Sequence, residues 1–372
     1  MKILEITNYT AGGCGVGARV LQEAELLAER GHEVRIFSTN RVKGLFELAS
    51  LEEKRGKVLI QRFPAIKLGG ESFMRWNFKN SFLSFYPDVV IAHAYRHSHT
   101  TLALKLAKKI NAKIFLVTHA PFDSGSTTRS LFQAWTVWMY DFWIGKRVLR
   151  KFDGVIAISK WEIPSLLKLG VPREKIHYVP NGIPKNFFEQ KKSKEENKII
   201  YFGRISPVKN IETLIGAFKL IRNKKIKLEL VGPSEKIYEK QLRNLIFSYN
   251  LGNRVFFVPP IYEINEKITK IDSARVLVLP SKREGMPQAL IEAMAREKIV
   301  IASDTAGAKD LIRDGSNGYL FPIGNFVELA KKIEYALSEK HRNIRVNASK
   351  SVEKFAWDKI IKKIEKLIVQ KN

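Results

Sequence analysis

Cysteine is almost absent. Cys14 stands alone, so no disulfide can close within the chain and no thiolate metal cluster can form. A fold that does without disulfides fits a reducing cytoplasm. Long apolar runs are missing too: the most apolar segment, Leu131 to Gly145, is 15 residues long and contains Asp141, short of the ~20 that a membrane-crossing helix needs. The start, MKILEITNY, puts Glu5 where a signal peptide would carry its apolar stretch, so no secretion is expected. Acidic residues are scarce, 37 against 64 basic ones, for a formal charge of +27. Such an excess favours anionic partners, namely nucleoside diphosphates, acidic lipid headgroups or nucleic acid, without choosing among them. No internal repeat or low-complexity tract is present.

What remains is the composition of an ordinary globular protein, 45% hydrophobic and 27% charged. At 372 residues the chain exceeds what one core usually supports, so two domains are expected. The polar run Lys185 to Lys198 (KNFFEQKKSKEENK) is the best linker. It divides the chain into 1–185, 186–355 and a closing amphipathic helix over 356–372. Strand Lys2 to Thr7, a glycine-rich turn, a helix from Ala18 to Arg30 and strand Glu33 to Ser38 make a βαβ unit, which implies a parallel sheet. Asp88 to His93 and Lys113 to His119 read as two further buried strands ending in histidine. In open parallel sheets ligands bind beyond the carboxyl ends of strands, where His93, Tyr95 and His119 would lie. Asn40 to Asn77 reads as a strand over Val58 to Phe63 with mobile loops around it.

The most informative stretch is PSKREGMPQALIEAMAREKIVIASDTAG, Pro280 to Gly307. An apolar strand ends at Leu279, a loop carries Glu284, and a helix starts with Pro287 at its first position. At 3.6 residues per turn, Ala289, Leu290, Ala293 and Met294 form the buried stripe, while Gln288 and Glu292 share another face, away from the core. The loop ahead of the helix offers backbone N–H groups and the positive end of a helix dipole, where an anion is held cheaply. The two carboxylates suit hydroxyl groups on either side of that anion. Arg204 and Lys209 flank a second strand-to-helix turn, so both cations can converge on an anion there.

Glu284 and Glu292, with Gly285, Pro287, Ala293-Met294-Ala295 and the strand that follows, resemble the paired-glutamate motif of the family-4 glycosyltransferases, retaining enzymes of the GT-B fold. The resemblance implies an α/β architecture of two Rossmann-like, doubly wound parallel-sheet domains facing a deep inter-domain cleft, with the last helix crossing back to the first domain. It further implies that Arg204 and Lys209 neutralise a leaving diphosphate. Glu284, Gly285, Met286, Pro287 and Gln288 would hold the donor sugar, and Glu292 the ribose hydroxyls. Gly12 and Gly13 match the family's glycine turn at the donor diphosphate and acceptor. His119 matches its histidine near the reacting carbon, and His93 and Tyr95 are placed on the acceptor side. Pro184 stands where the family often has Asp, and Pro259-Pro260 where a glycine is usual, which leaves the nucleotide base open.

No Asp-x-Asp pair occurs, so no metal and no other cofactor is expected. The expected activity is transfer of a sugar from a UDP-, GDP- or ADP-sugar to a sugar or lipid-linked hydroxyl acceptor. A nucleotide-sugar 2-epimerase of the same fold and a basic nucleic-acid-binding protein are the alternatives, and nucleic acid is not expected as a partner. The stretch Ser130 to Arg150, with Phe132, Trp135, Trp138, Tyr140, Phe142 and Trp143 before Lys146, Arg147, Arg150 and Lys151, has two readings. It is either a buried helix or an interfacial one facing an anionic membrane surface. The second would place a cytoplasmic protein at the inner face of the membrane.

Overall fold

The computed structural model describes residues 1–44, 46–68, 71–122, 131–189, 194–338 and 341–370. The chain divides into two units, one built from Met1–Phe122, Arg129–Asn181 and Asp358–Asn372, the other principally from Gly182–Trp357. Gly69, Gly70 and Ser130, each part of a sequence expectation above, lie outside the described residues, as does 190–193 of the linker run.

Runs such as VVIAH and KIFLV are apolar on both alternating faces, which suits a parallel sheet covered by helices on both sides. Among the described residues the first unit has ten strands: β1 (Lys2–Ile6), β2 (Glu33–Thr39), β3 (Glu52–Arg55), β4 (Val58–Phe63), β5 (Ala65–Lys67), β6 (Met74–Trp76), β7 (Val89–His93), β8 (Lys113–Val117), β9 (Gly154–Ala157) and β10 (Ile176–Tyr178). Eight of them form one sheet in the order β10-β9-β8-β7-β1-β2-β4-β3, parallel except for β3. That edge strand is Glu-Glu-Lys-Arg, and its charges discourage pairing with another chain. The chain order reverses between β1 and β7, so the carboxyl ends of these two strands flank the topological switch point. The 40–77 region holds more structure than expected, because β3 pairs with β4, and β5 with β6 form a separate hairpin.

The second unit has β11 (Lys198–Phe202), β12 (Lys227–Val231), β13 (Val255–Val258), β14 (Val276–Leu279), β15 (Ile299–Ser303) and β16 (Tyr319–Phe321), all parallel, in the order β13-β12-β11-β14-β15-β16. Its switch point lies between β11 and β14. The two segments carrying Arg204, Lys209 and Glu284 leave those neighbouring strands, so the topology alone makes them adjacent. The last helix, Trp357–Val369, buries Ile360, Ile361, Ile364 and Ile368 on one stripe. From Asp358 onward it belongs to the first unit, where Glu365 bonds Arg30 and His32.

The aromatic segment is helical over Leu131–Tyr140, passes through a π turn at Asp141–Gly145 and continues over Lys146–Leu149. The buried reading does not hold: Trp135, Trp138 and Trp143 are each more than half exposed. The side chains of residues 131–133, Phe132 among them, are outside the description. The reason is on the inner face, where Asp141 takes a bidentate pair of bonds from Arg96 (2.8 and 2.5 Å) and a third from the Tyr95 hydroxyl (2.9 Å). Gly145 lies so close that a Cβ there would be 2.1 Å from that hydroxyl. With the polar groups fixed inward, the tryptophans are turned out.

Candidate active site

In the second unit the chain leaves β11 through Gly203 and Arg204, makes a short 3-10 turn over Pro207–Lys209 and enters helix Ile211–Leu220 through Asn210, whose left-handed backbone (φ 54°) reverses direction. The segment leaving β14 docks on this turn. The Lys282 N–H donates to the Val208 carbonyl (2.9 Å), and the Lys282 ammonium reaches Glu212 (3.3 Å). Lys209 Nζ then lies 2.6 Å from Glu284 Oε1, and Ser281 Oγ donates to the same oxygen at 2.6 Å. Glu284 is nearly buried, so its charge is matched by an ion pair and a hydroxyl in a partly desolvated position. Gly307 fixes the loop from behind. A Cβ on it would meet the Gly285 carbonyl oxygen at 2.5 Å and that of Glu284 at 2.6 Å, which only glycine avoids.

Helix Gln288–Ala295 begins at this loop with Pro287 as the residue before its first turn and no side-chain cap. Sequence periodicity placed Pro287 one position inside the helix and turned Glu292 away from the core. Instead Glu292 is buried, 5% exposed, and its carboxylate is 2.6 Å from Lys267 of helix Ile264–Asp272. Glu292 does lie off the apolar stripe, but a second helix covers the face it points to. Lys267 in turn sits over the Phe202 ring, 4.9 Å from its centre. Arg204 has a half-exposed side chain, 4.0 Å from Glu235, and its carbonyl accepts from the buried Tyr201 hydroxyl at 2.7 Å. Burial holds that hydroxyl well above its ordinary pKa, Glu284 adds to the rise and Arg204 opposes it, so both charges lie within electrostatic reach of one phenol. Lys209, Glu284 and the Pro280–Pro287 loop therefore form one constellation, with Arg204 at its border and the Glu292–Lys267 pair one helical turn away.

In the first unit, Glu5, Arg19, Glu23 and His93 are almost wholly buried together between β1, β7 and helix Gly15–Glu29. Glu5 Oε2 is 2.5 Å from His93 Nε2, and His93 Nδ1 is 2.9 Å from His119 Nε2. Arg19 bonds Glu23 (3.0 Å), the Val179 carbonyl (3.2 Å) and Asn181 (2.9 Å) rather than Glu5. Burial pushes Glu5 up to about 8, partly opposed by Arg19, and Glu23 up to about 7. It drives His93 down to about 3 and His119 well below the usual imidazole range. The 2.5 Å contact is therefore a neutral acid against a neutral imidazole, not an ion pair.

His119 is not the last residue of its strand but stands two positions beyond β8, half-buried, with His119 and Ala120 both left-handed (φ 59° and 55°). Glu162, the glutamate of a Ser159-x-x-Glu162 capping box, holds this bend. One of its oxygens accepts from the Ala120 N–H and the Thr118 hydroxyl, the other from the N–H groups of Ile158 and Ser159. Both residues expected on the acceptor side are buried, His93 within the Glu5–His119 chain and Tyr95 with its hydroxyl on Asp141. Gly12 (φ 83°) packs on the next loop, where a Cβ would be 2.6 Å from the Lys43 carbonyl, while Gly12 and Gly13 remain exposed on their other side. Among the described residues no group of three or more His, Cys, Asp or Glu is placed to hold a metal ion, and no helix is long and apolar enough to cross a membrane.

A family model described as glycosyl transferases group 1 matches residues 182–355, and one described as glycosyltransferase family 4 matches residues 13–187. The chain belongs to this glycosyltransferase family. An uncharacterized glycosyltransferase of Methanocaldococcus jannaschii is 26% identical over 367 residues, covering 92% of this chain and 91% of that protein. The N-acetyl-alpha-D-glucosaminyl L-malate synthase of Bacillus anthracis is 25% identical over 391 residues, covering 98% and 96%. Among solved structures, sucrose-phosphate synthase from Thermosynechococcus elongatus superposes with a TM-score of 0.81 at 22% identity, covering 98% of both chains. Anabaena HepE, solved in complex with UDP and glucose, gives 0.76 at 19% identity over 98% of both. These likenesses establish the GT-B fold of this glycosyltransferase.

Proposed function

We propose that this glycosyltransferase is a retaining, metal-independent hexosyltransferase that moves a sugar from a nucleoside diphosphate sugar to a hydroxyl acceptor. The observation that carries the reading is the Lys209–Glu284 contact at the switch point of the second unit, beside the uncapped start of helix Gln288–Ala295. Cation, carboxylate and helix N-terminus are what a diphosphate joined to a polyhydroxyl group requires. The UDP-bound state of HepE supports a uridine donor as the first choice.

In this reading Lys209 and Arg204 stabilise the charge that builds on the diphosphate as the anomeric C–O bond breaks, the work a bridging metal would otherwise do. Glu284 exchanges its bond from Lys209 for sugar hydroxyls, helped by the backbone of Gly285, Met286 and Pro287 and by Gln288. Glu292, oriented by Lys267, accepts from the ribose. The family resemblance assigns His119, a neutral imidazole, to the sugar and the Gly12–Gly13 turn to the diphosphate and acceptor. The acceptor oxygen bonds to the anomeric carbon while its proton passes to the departing phosphate oxygen on the same face, so configuration is retained and no protein nucleophile is needed.

The acceptor side is read from the exposed aromatic helix. Trp138 and Phe142 stack at 5.5 Å, and Lys146, Arg147, Arg150 and Lys151 follow directly. Aromatics beside cations suit an anionic lipid surface, so the proposed acceptor is lipid-linked and the enzyme works at the inner face of the membrane. Product analysis tests the whole reading. With donor, acceptor and excess chelator, a product of retained anomeric configuration is expected. Activity that needs divalent metal, an inverted product, or an epimerised donor formed without acceptor would overturn it.

A further inference from the structure

We propose that Glu5, His93 and His119 act as one proton relay, in which ionisation of the buried acid decides whether the outer ring nitrogen of His119 donates or accepts a hydrogen bond. Glu5 and His93 are then positioning residues for His119.

The contacts form an unbranched line: carboxyl oxygen to Nε2 of the first ring at 2.5 Å, and Nδ1 of that ring to Nε2 of the second at 2.9 Å. The other Glu5 oxygen has no partner among the described residues, so His93 is the acid's only polar contact. An imidazole that accepts at one nitrogen must donate from the other, so the state of the acid propagates outward. With Glu5 protonated, its O–H donates to His93 Nε2, His93 donates Nδ1–H to His119 Nε2, and His119 carries its own proton on Nδ1. With Glu5 ionised, every proton has moved one place outward: His93 donates Nε2–H to the carboxylate, His119 donates Nε2–H to His93 Nδ1, and His119 Nδ1 is left with a lone pair. The two states differ by one proton, which leaves from His119 Nδ1 while the negative charge comes to rest on Glu5.

Of the three, only His119 is partly exposed, so the line runs from the core to a half-buried ring. An acid with an ordinary pKa beside a histidine only orients the ring. Glu5 differs because desolvation lifts it to about 8, within reach of physiological pH. The surrounding charges do not break the line. Arg19 and Glu23 face it from helix Gly15–Glu29, with Arg19 engaged by Glu23 and Asn181. His97 and His99 face it from the start of helix Ser98–Lys109, where His99 Nε2 bonds the His93 carbonyl. Glu23, pushed up to about 7, titrates in a neighbouring range, and Glu162, also raised by burial, faces His119 from the bend, where it accepts from the Thr118 hydroxyl and the Ala120 N–H.

The tautomers can be read on the full chain labelled with 15N-histidine, using two-bond proton–nitrogen correlations between about pH 6 and about pH 10. The expected result is that His93 and His119 both carry Nδ1–H at the low end and both carry Nε2–H at the high end, with one shared midpoint near 8. Glu5→Gln abolishes the shared transition, and Glu23→Gln leaves it in place. Rings that keep one tautomer throughout, or that switch independently, overturn the proposal, as does a transition that survives in Glu5→Gln. Should Glu5→Gln fail to fold, infrared spectra of the unmodified chain still decide: a protonated carboxyl band that disappears with the same midpoint supports the relay, and its absence at the low end refutes it. No substrate is added, so the outcome stands apart from the transfer reaction.

Discussion

The buried acid of β1 gives the stability of the first unit an unusual dependence on pH, which the substitution Glu5→Gln isolates. In the folded chain Glu5 keeps its proton up to about 8, whereas the unfolded chain releases it near 4.5. Between those values the unfolded state binds fewer protons, so stability contributed by the neutral acid is complete below 4.5 and is lost as pH rises through 8. His93 acts oppositely: it is held neutral down to about 3, so its contribution is present above 6.5 and lost as pH falls. The climb of Glu5 from 4.5 to about 8, at ~1.4 kcal/mol per pH unit, sets a ceiling of about 5 kcal/mol. Water reaching the carboxylate would lower that ceiling. Glutamine fills the same volume and cannot ionise. Urea unfolding of both proteins at several values from about pH 5 to about pH 9 is the assay, with hydrogen exchange in β1 and β7 to report on this unit alone. Whatever the offset at the acid end, stability of the variant relative to the parent should grow by about 3 to 5 kcal/mol across the series. A difference that stays constant to within ~0.5 kcal/mol would refute the neutral-acid assignment.

Other expectations concern the second unit and the surface. A double-mutant cycle with Lys209→Met and Glu284→Gln should give a coupling of about 1 to 3 kcal/mol, since the pair is largely shielded, and a value near zero would mean the contact does not form in solution. Gly307→Ala drives a Cβ into two backbone carbonyls of the Glu284 loop, so thermal unfolding should show a loss of about 1 to 3 kcal/mol. Parental stability would contradict the packing described. Trp135→Ser with Trp138→Ser alters exposed positions and should leave stability within ~0.5 kcal/mol. Cosedimentation with anionic vesicles should fall at least about ten-fold, and unchanged binding would remove the membrane reading.

How far the sequence could be read depended on the reach of each signal. Apolar runs marked β7, β8 and β14 because burial on both faces leaves a local imprint, and the glycines and prolines marked the turns. Glu-Glu-Lys-Arg of β3 has no such imprint, since an edge strand facing water needs no apolar face. Lys209 and Glu284 are 75 residues apart, and only the family pattern suggested that they meet. Lys267 was missed because a charged residue on an amphipathic helix looks like a solvated one until its neighbour is known, and Glu162 because Ser159-x-x-Glu162 reads as a local cap with no hint of Thr118 and Ala120. Glu5 was noticed only as an interruption of an apolar start, since His93 lies 88 residues away. The orientation of the aromatic helix was equally illegible, being set by Asp141 and Arg96, 45 residues apart.

The central claim is that the Lys209–Glu284 constellation receives the diphosphate of a nucleotide sugar. Calorimetric titration of UDP, GDP and ADP into the parent chain, Lys209→Ala and Glu284→Gln tests it without an acceptor. One nucleotide should bind the parent, and Lys209→Ala should weaken it about ten-fold, the worth of one charge-assisted hydrogen bond. Glu284→Gln should bind it as well or better, because Glu284 competes with the diphosphate for Lys209 at 2.6 Å. No binding by any of the three nucleotides, or equal affinity in the parent and Lys209→Ala, would contradict the account.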